Sequence, residues 1–249
     1  MGKYLKKFDT HTEYETYIEG ENVILPNVSY CDDNKDVHYN PIVPDPYGGH
    51  DYVEIGGIKW ATMNIGASSI TDAGLYFQWG DTQGYTAAQV GVDKTFDLAN
   101  YKYSDNGTTA MTKYNDIDEK ANLEASDDAA KVLWGGNWRT PTSQDIDTLI
   151  GAVDAEWVVE YQGSGINGVV CIYKVDSSNV LFLPACGVCR DDELQNVNYE
   201  GLYWTNICGA GMGAERFAAV LYLSDADDSE LYSGIVYRER GQNIRPVAD

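Results

Sequence analysis

Between Glu156 and Val247 seven short segments follow one another: EWVVEYQ, GVVCIYKV, NVLFLPAC, GLYWTN, RFAAVLYLS, ELYSGIVYR and QNIRPV. Each is rich in β-branched and aromatic residues and is bounded by Gly, Asn, Asp or Ser. Runs of this length with such breaks read as strands, and short loops between them favour antiparallel pairing. A chain built this way must bury its apolar side chains between small sheets, because no segment here is long enough for a helical bundle. No repeat of fixed period is visible in it.

The upstream sequence adds the remaining elements. DYVEIGGIKWATMNIG predicts a hairpin around Gly56-Gly57, with Val53, Ile55, Ile58 and Trp60 facing inward. LYFQWGD reads as a short aromatic strand, and the polar stretch from Thr82 to Asn115 as loops. Two helices are expected. ASDDAAKVLWGG takes Ser126 as its cap and Gly135 as its stop, and TPTSQDIDTLIGAV takes Thr140 or Thr142, with Ile146, Leu149 and Ile150 on one face.

Residues 1–45 read as a separate unit. THTEYETYIEG suits a short helix capped by Thr10 or Thr12 and stopped by Gly20, and NVILPNVSYCDDNKDVHYNPIV suits a hairpin turning at DDNK. The proline- and glycine-rich PIVPDPYGGH then reads as a linker. The expected fold class is α+β, with short twisted antiparallel strands, two helices and long loops, preceded by this small helix-hairpin unit.

Charge and composition exclude several functions. Seventeen basic against 39 acidic side chains give a formal net charge of −22, the wrong sign for sequence-independent nucleic-acid binding. The longest apolar runs, FAAVLYL and GVVCIY, fall far short of the roughly 20 residues that cross a bilayer, so no membrane insertion is expected. The N-terminus has positive residues but no apolar stretch behind them, which predicts no secretory signal. Lys6 stands where a myristoylation signal wants Ser or Thr.

Five cysteines (Cys31, Cys171, Cys186, Cys189 and Cys208) make an odd count and read as buried small residues. Cys186-x-x-Cys189 lacks two further zinc ligands nearby, since all three His (His11, His38, His50) lie far upstream. It also sits on a strand running into a loop, not at the helix start a redox pair wants. No calcium-loop spacing is present. No metal and no cofactor are therefore expected. Catalysis has little material, because no His lies beyond His50 and no carboxylate pair stands out.

Several segments carry a family resemblance. IGGIKWATMNIGA, GLYFQWGD, SDDAAKVLWGGNWRTPTSQDIDTL, LFLPACG, GLYWT and YRERGQNIRPV occur in the order of the Fibrobacter succinogenes major paralogous domain. That domain belongs to the C-type lectin-like group related to the formylglycine-generating enzyme. The resemblance covers about 200 of the 249 residues. The layout is also similar to variable proteins of diversity-generating retroelements, including those of phages of gut Bacteroides, and the N-terminal unit looks like the leading segment of Bacteroides phage structural proteins. From the residues themselves, Trp79, Trp134, Trp138 and Trp204 read as core tryptophans, and Arg139, Arg238 and Arg245 as forks for carboxylates or loop carbonyls.

The resemblance implies a C-type lectin-like domain over residues 46–249, with a variable segment at about 201–247, and a non-catalytic receptor-binding function on a phage tail or virion. The partners it implies are a host-surface protein or glycan and, through residues 1–45, virion proteins; spike or fibre attachment is compatible with a homo-oligomer. In the retroelement families, mutagenesis of AAC or AAT codons reaches Asn, Tyr, Ser, Cys, Gly, Ala, Ile, Phe, Leu and Val but not Met, Glu or Lys. A period of two along RFAAVLYLS sets Phe217, Ala219, Leu221 and Leu223 on a core-like face and Ala218, Val220 and Tyr222 on the other, which is expected to face a ligand. Asn206, Ile207, Cys208, Ala210, Tyr232, Gly234, Val236 and Tyr237 complete the candidate surface, with Gly209–Ala214 as a loop. Tyr222, Tyr232 and Tyr237 would supply contact area at low entropic cost. Two alternatives stand beside this reading: an invariant structural or surface-assembly domain of a Bacteroidetes cell, and a formylglycine-generating-like enzyme with Cys208 as nucleophile.

Overall fold

The computed structural model describes residues 29–31, 37–39 and 47–248, apart from 212 and 226–230. The chain divides into two compact units, Met1–Asp45 and Pro46–Asp249. In the first, β1 (Ser29–Cys31) and β2 (Val37–Tyr39) pair antiparallel with Tyr30 opposite His38. The helix expected over THTEYETYIEG and the turn at DDNK lie outside the described residues.

The second unit is mixed α and β, made mostly of small antiparallel sheets. Its first elements are β3 (Tyr52–Ile55), β4 (Ile58–Ala61), α1 (Ala129–Leu133), α2 (Ser143–Ala152) and β5 (Val153–Val158). Then come β6 (Gly168–Tyr173), β7 (Val180–Pro184), β8 (Val188–Arg190) and β9 (Glu193–Gln195). The chain closes with β10 (Glu200–Gly209), β11 (Ala214–Ser224), β12 (Leu231–Tyr237) and β13 (Val247–Ala248). They assemble as three-stranded sheets β10-β11-β12, β13-β4-β3 and β5-β6-β7, and a β8-β9 hairpin.

Local chemistry accounts for these elements. The β3-β4 turn places Gly56 and Gly57 at φ +63° and +80°, the paired left-handed conformation of a two-residue hairpin that matches strand twist. Ile55 and Trp60 are fully buried, with Val53 and Ile58 packed partly against them, as their alternation predicts. The cap of α1 is Asp128, not Ser126. Its carboxylate accepts from the backbone N–H groups of Ala130 and Lys131 and also from Thr140 N–H and Oγ–H, so one side chain starts the helix and ties it to the TPTS segment. At α2, Thr142 and Asp145 form a reciprocal capping box, and Asp145 also pairs with Arg139 at 2.5 Å.

Three expected strands differ. The helix α2 passes directly into β5, which therefore begins at Val153, before EWVVEYQ, and ends at Val158; Tyr161–Gly163 is a 3-10 turn. LYFQWGD makes only single bridges, Tyr76 with Tyr85 and Phe77 with Gln242. In QNIRPV, Gln242 and Asn243 likewise make single bridges, and regular pairing resumes only at Val247.

Two apolar clusters lie on opposite faces of the β10-β11-β12 sheet. One joins Trp204, Leu202, Val220 and Ala218 to Trp79, Tyr101, Tyr103, Met111 and Tyr114. The other joins Tyr203, Leu221, Leu223 and Leu231 to Ile146, Leu149, Trp60 and the β6-β7 strands. Three tryptophans satisfy their indole N–H groups within the unit: Trp79 donates to Thr205 O, Trp204 to Phe77 O and Trp138 to Tyr47 O, at 2.7–2.8 Å, whereas the buried Trp60 Nε1 has no partner among the described residues. Arg238 is fully buried without a carboxylate. It donates to Tyr101 Oη and to the carbonyls of Tyr114, Glu215 and Lys113, and lies 4.6 Å from the Trp79 ring centre. Arg245, equally buried, donates to Asn64 Oδ1 and to the carbonyls of Ala61 and Thr62. Both arginines thus hold irregular loops together where no ladder of strand bonds exists.

Candidate ligand-binding surface

The far end of the β10-β11-β12 sheet is shaped by a bulge and a tied loop. Trp204 pairs with Val220 and Cys208 with Ala218, so Thr205–Ile207 stand opposite Ala219 alone. A bulge of this kind re-aims side chains and bends its strand. Thr205 Oγ–H donates to Ala219 O, and the displaced β10 backbone finds new partners in Ala121 O, Leu123 N–H and Pro141 O. The connection from β10 to β11 is shorter than Gly209–Ala214, because those two residues already pair. The N–H groups of Gly211, at φ +76°, and Gly213 donate to Asp116 Oδ1, so a carboxylate from another segment holds the glycine-rich turn.

Past the bulge the sheet presents an uncovered recess of about 280 Å³. Ile207, Cys208, Phe217, Ala219 and Ile235 line it, with atoms of Ala218, Gly209 and Ala214 at its edge and Ser143 at the start of α2. Ile235 is 66% exposed, on a strand whose neighbours on that face include buried leucines. Phe217 stacks on Tyr237 across the β11-β12 ladder at 4.7 Å. Tyr237 in turn lines a second recess of about 390 Å³ with Arg190, Arg216, Arg240 and Glu239. The two recesses therefore adjoin through one aromatic pair.

This geometry reverses the expected faces at the sheet end. Ala218 and Val220 are each 1% exposed and lie in the core with Trp79 and Tyr114; Cys208 and Ala210 are buried in the same cluster. The cause is the polar stretch before Asn115. It forms no strand beyond single bridges, but its Tyr101, Tyr103, Met111 and Tyr114 fold over the face expected to be free. The core-like set divides instead: Leu221 and Leu223 are sealed under α2 and β6, whereas Phe217 and Ala219 lie beyond that cover and are half-buried.

The other candidate residues scatter. Ile207 belongs to the apolar recess and Tyr237 to the charged one. Asn206 faces a third recess with Asp128, Lys131 and Arg139. Tyr222 stacks on Tyr232 at 4.7 Å near the opposite end of the ladder and donates to Glu200, and Gly234 and Val236 are half-buried between. Sequence reasoning missed Phe217, Ala219, Ile235, Arg190, Arg216 and Arg240. One signal was present: Ser233 and Ile235 alternate with the inward residues of β12, and a Ser on that face marks it as partly wet.

The thiols are poorly placed for chemistry. Burial pushes Cys171 and Cys186 up to about 12 and raises Cys189 and Cys208, so all four stay protonated near neutrality and are weak nucleophiles. Cys208 Sγ rests near the carbonyls of Tyr114 and Lys120. Among the described residues no group of three or more His, Cys, Asp or Glu is arranged to hold a metal ion. No family model, curated protein or solved structure matches the chain.

Proposed function

We propose that the chain is a non-catalytic ligand-binding protein whose contact surface is the open end of the β10-β11-β12 sheet. The observation that carries this reading is the uncovered apolar recess, in which Phe217 and the 66%-exposed Ile235 stand on the same face of the sheet as the buried Leu221, Leu223 and Leu231. An apolar recess flanked by an aromatic pair and by charged groups is the composition of a recognition site. Its backbone is fixed by the bulge, by Asp116 and by the buried Arg238, so side chains at its surface can change without altering the frame.

The finer reading is a C-type lectin-like receptor-binding protein of a phage tail or virion, attached through residues 1–45 and diversified by a retroelement. Ile207, Phe217, Ala219, Ile235 and Tyr237 are all residue types reachable from an AAC or AAT codon, and they cluster at this one end. The ligand in this reading is a protein or glycan of a host surface.

Adsorption tests the function. Fluorescently labelled full chain should bind cells of at least one gut Bacteroides strain saturably, and unlabelled chain should compete. Absence of saturable binding across a broad panel contradicts it. Sequencing the DNA beside the gene tests diversification, which requires a near-repeat of the C-terminal coding segment and a reverse transcriptase.

A further inference from the structure

The charged recess has a feature that strand geometry alone makes costly. Cys189 and Gly241 form an antiparallel bridge, with N–H···O bonds of 2.9 Å in both directions. This sets Arg190 and Arg240 at the next opposed position, and both line the same recess. Like charges directly opposite across a ladder repel. Neither guanidinium forms an ion pair with a carboxylate among the described residues; Arg240 instead lies 5.0 Å from the Tyr237 ring centre. Burial, and then the neighbouring Arg190 charge, hold the Arg240 pKa below its usual value.

A third guanidinium completes the set. Arg216, from β11, lies 4.2 Å from the Tyr237 ring centre and pairs with Glu239. Asp97, Asp191 and Glu239 line the same recess and Glu193 stands opposite Arg190 across the β8-β9 ladder, but among the described residues none of them forms an ion pair with Arg190 or Arg240. Glu239 Oε1 pairs with Arg216, Asp97 Oδ1 accepts from Asn100 N–H and Nδ–H, and Asp191 stands exposed. Three of the chain's six arginines thus meet in one opening of a protein with net charge −22. Remote acidic groups matter little there, because charges beyond about 8 Å are screened at physiological ionic strength.

We propose that Arg190 and Arg240, supported by Arg216, form a subsite for an oxyanion, a carboxylate, sulfate or phosphate group carried by the ligand. Two guanidiniums facing one opening offer forked N–H donors suited to such a group, and its charge relieves their repulsion. The biological use of the subsite rests on the reading of this sheet end as the recognition surface. Oxyanion binding itself does not, and the two are tested separately.

The test uses full chain labelled with 15N-arginine, so that the Nε–H signals can be followed. Sodium sulfate, sodium phosphate and sodium glucuronate are titrated in turn against sodium chloride of matched ionic strength. Saturable shifts of the Arg190 and Arg240 signals by at least one oxyanion are expected, and the probe that binds tightest identifies the oxyanion class. Arg190→Gln and Arg240→Gln should each weaken that binding about tenfold or more, and Lys174→Gln should leave it unchanged. Arg190 is exposed, so its variant keeps the test valid if Arg240→Gln perturbs folding. Shifts that chloride reproduces, or variants that titrate like the parent chain, overturn the subsite. Adsorption of groove variants to cells tests the recognition surface, and each result can fail alone.

Discussion

The two faces of β11 begin from the same alternating pattern and end in different environments. On one, Ala218 and Val220 are sealed by aromatics from a segment without regular strands and by the buried Arg238. On the other, cover by α2 and β6 reaches Leu221 and Leu223 but stops short of Phe217 and Ala219. A period of two separates the faces of a strand, but it does not say which long-range segment covers each. Here the polar, turn-rich stretch seals Ala218 and Val220 on one face, and the predicted helix covers the other only as far as Leu221.

The largest effect that would sharpen this contrast comes from adjacent residues. Ala218→Asp buries an unpaired carboxylate and should cost several kcal/mol or abolish cooperative unfolding, whereas Ala219→Asp at the open recess should cost under about 1.5 kcal/mol. Equal costs in urea unfolding would break the comparison. Next in size, Arg238→Met strips donors from three carbonyls and a tyrosine hydroxyl, and about 3 kcal/mol or more of stability should be lost by the same measurement. Arg216→Met, at a partly exposed pair, should cost about 1 kcal/mol.

A smaller effect is expected in acid. Burial acts to raise the Asp127 carboxyl, but hydrogen bonds from Lys113, Tyr103, Tyr114 and Lys102 outweigh it and hold the pKa well below 3.8. A carboxyl lowered on folding stabilises the native state at neutral pH, and that contribution is lost as pH falls through and below the ordinary carboxylate range. Melting temperatures from pH 6 down to pH 2 should therefore fall less steeply in Asp127→Asn than in the parent chain. The smallest change is Ile235→Ser, which should alter stability by no more than about 0.5 kcal/mol in thermal or urea unfolding.

Much of the frame was legible in the sequence. Turn residues marked the β3-β4 hairpin, Thr142, one of two caps the sequence offered, marked the start of α2, and the apolar alternation located β6, β7, β10, β11 and β12. What was not legible depended on distant contacts. Asp128 outcompeted Ser126 as a cap because Thr140 adds two further donors to its carboxylate. Tyr101, Tyr103 and Tyr114 became core residues although their segment has no periodicity to show it. Arg190 and Arg240, 50 residues apart in sequence, meet only through the Cys189–Gly241 bridge. Pairings between such separated segments leave no local trace.

The claim that the open end of the C-terminal sheet recognises a ligand is tested most directly by cell adsorption of surface variants. With a strain that binds the parent chain saturably, Phe217→Asp and Ile235→Asp should each weaken adsorption at least tenfold, while Val175→Asp, at an 82%-exposed valine outside the recess, should match the parent. Equal adsorption by all four proteins, each verified as folded, would contradict the account.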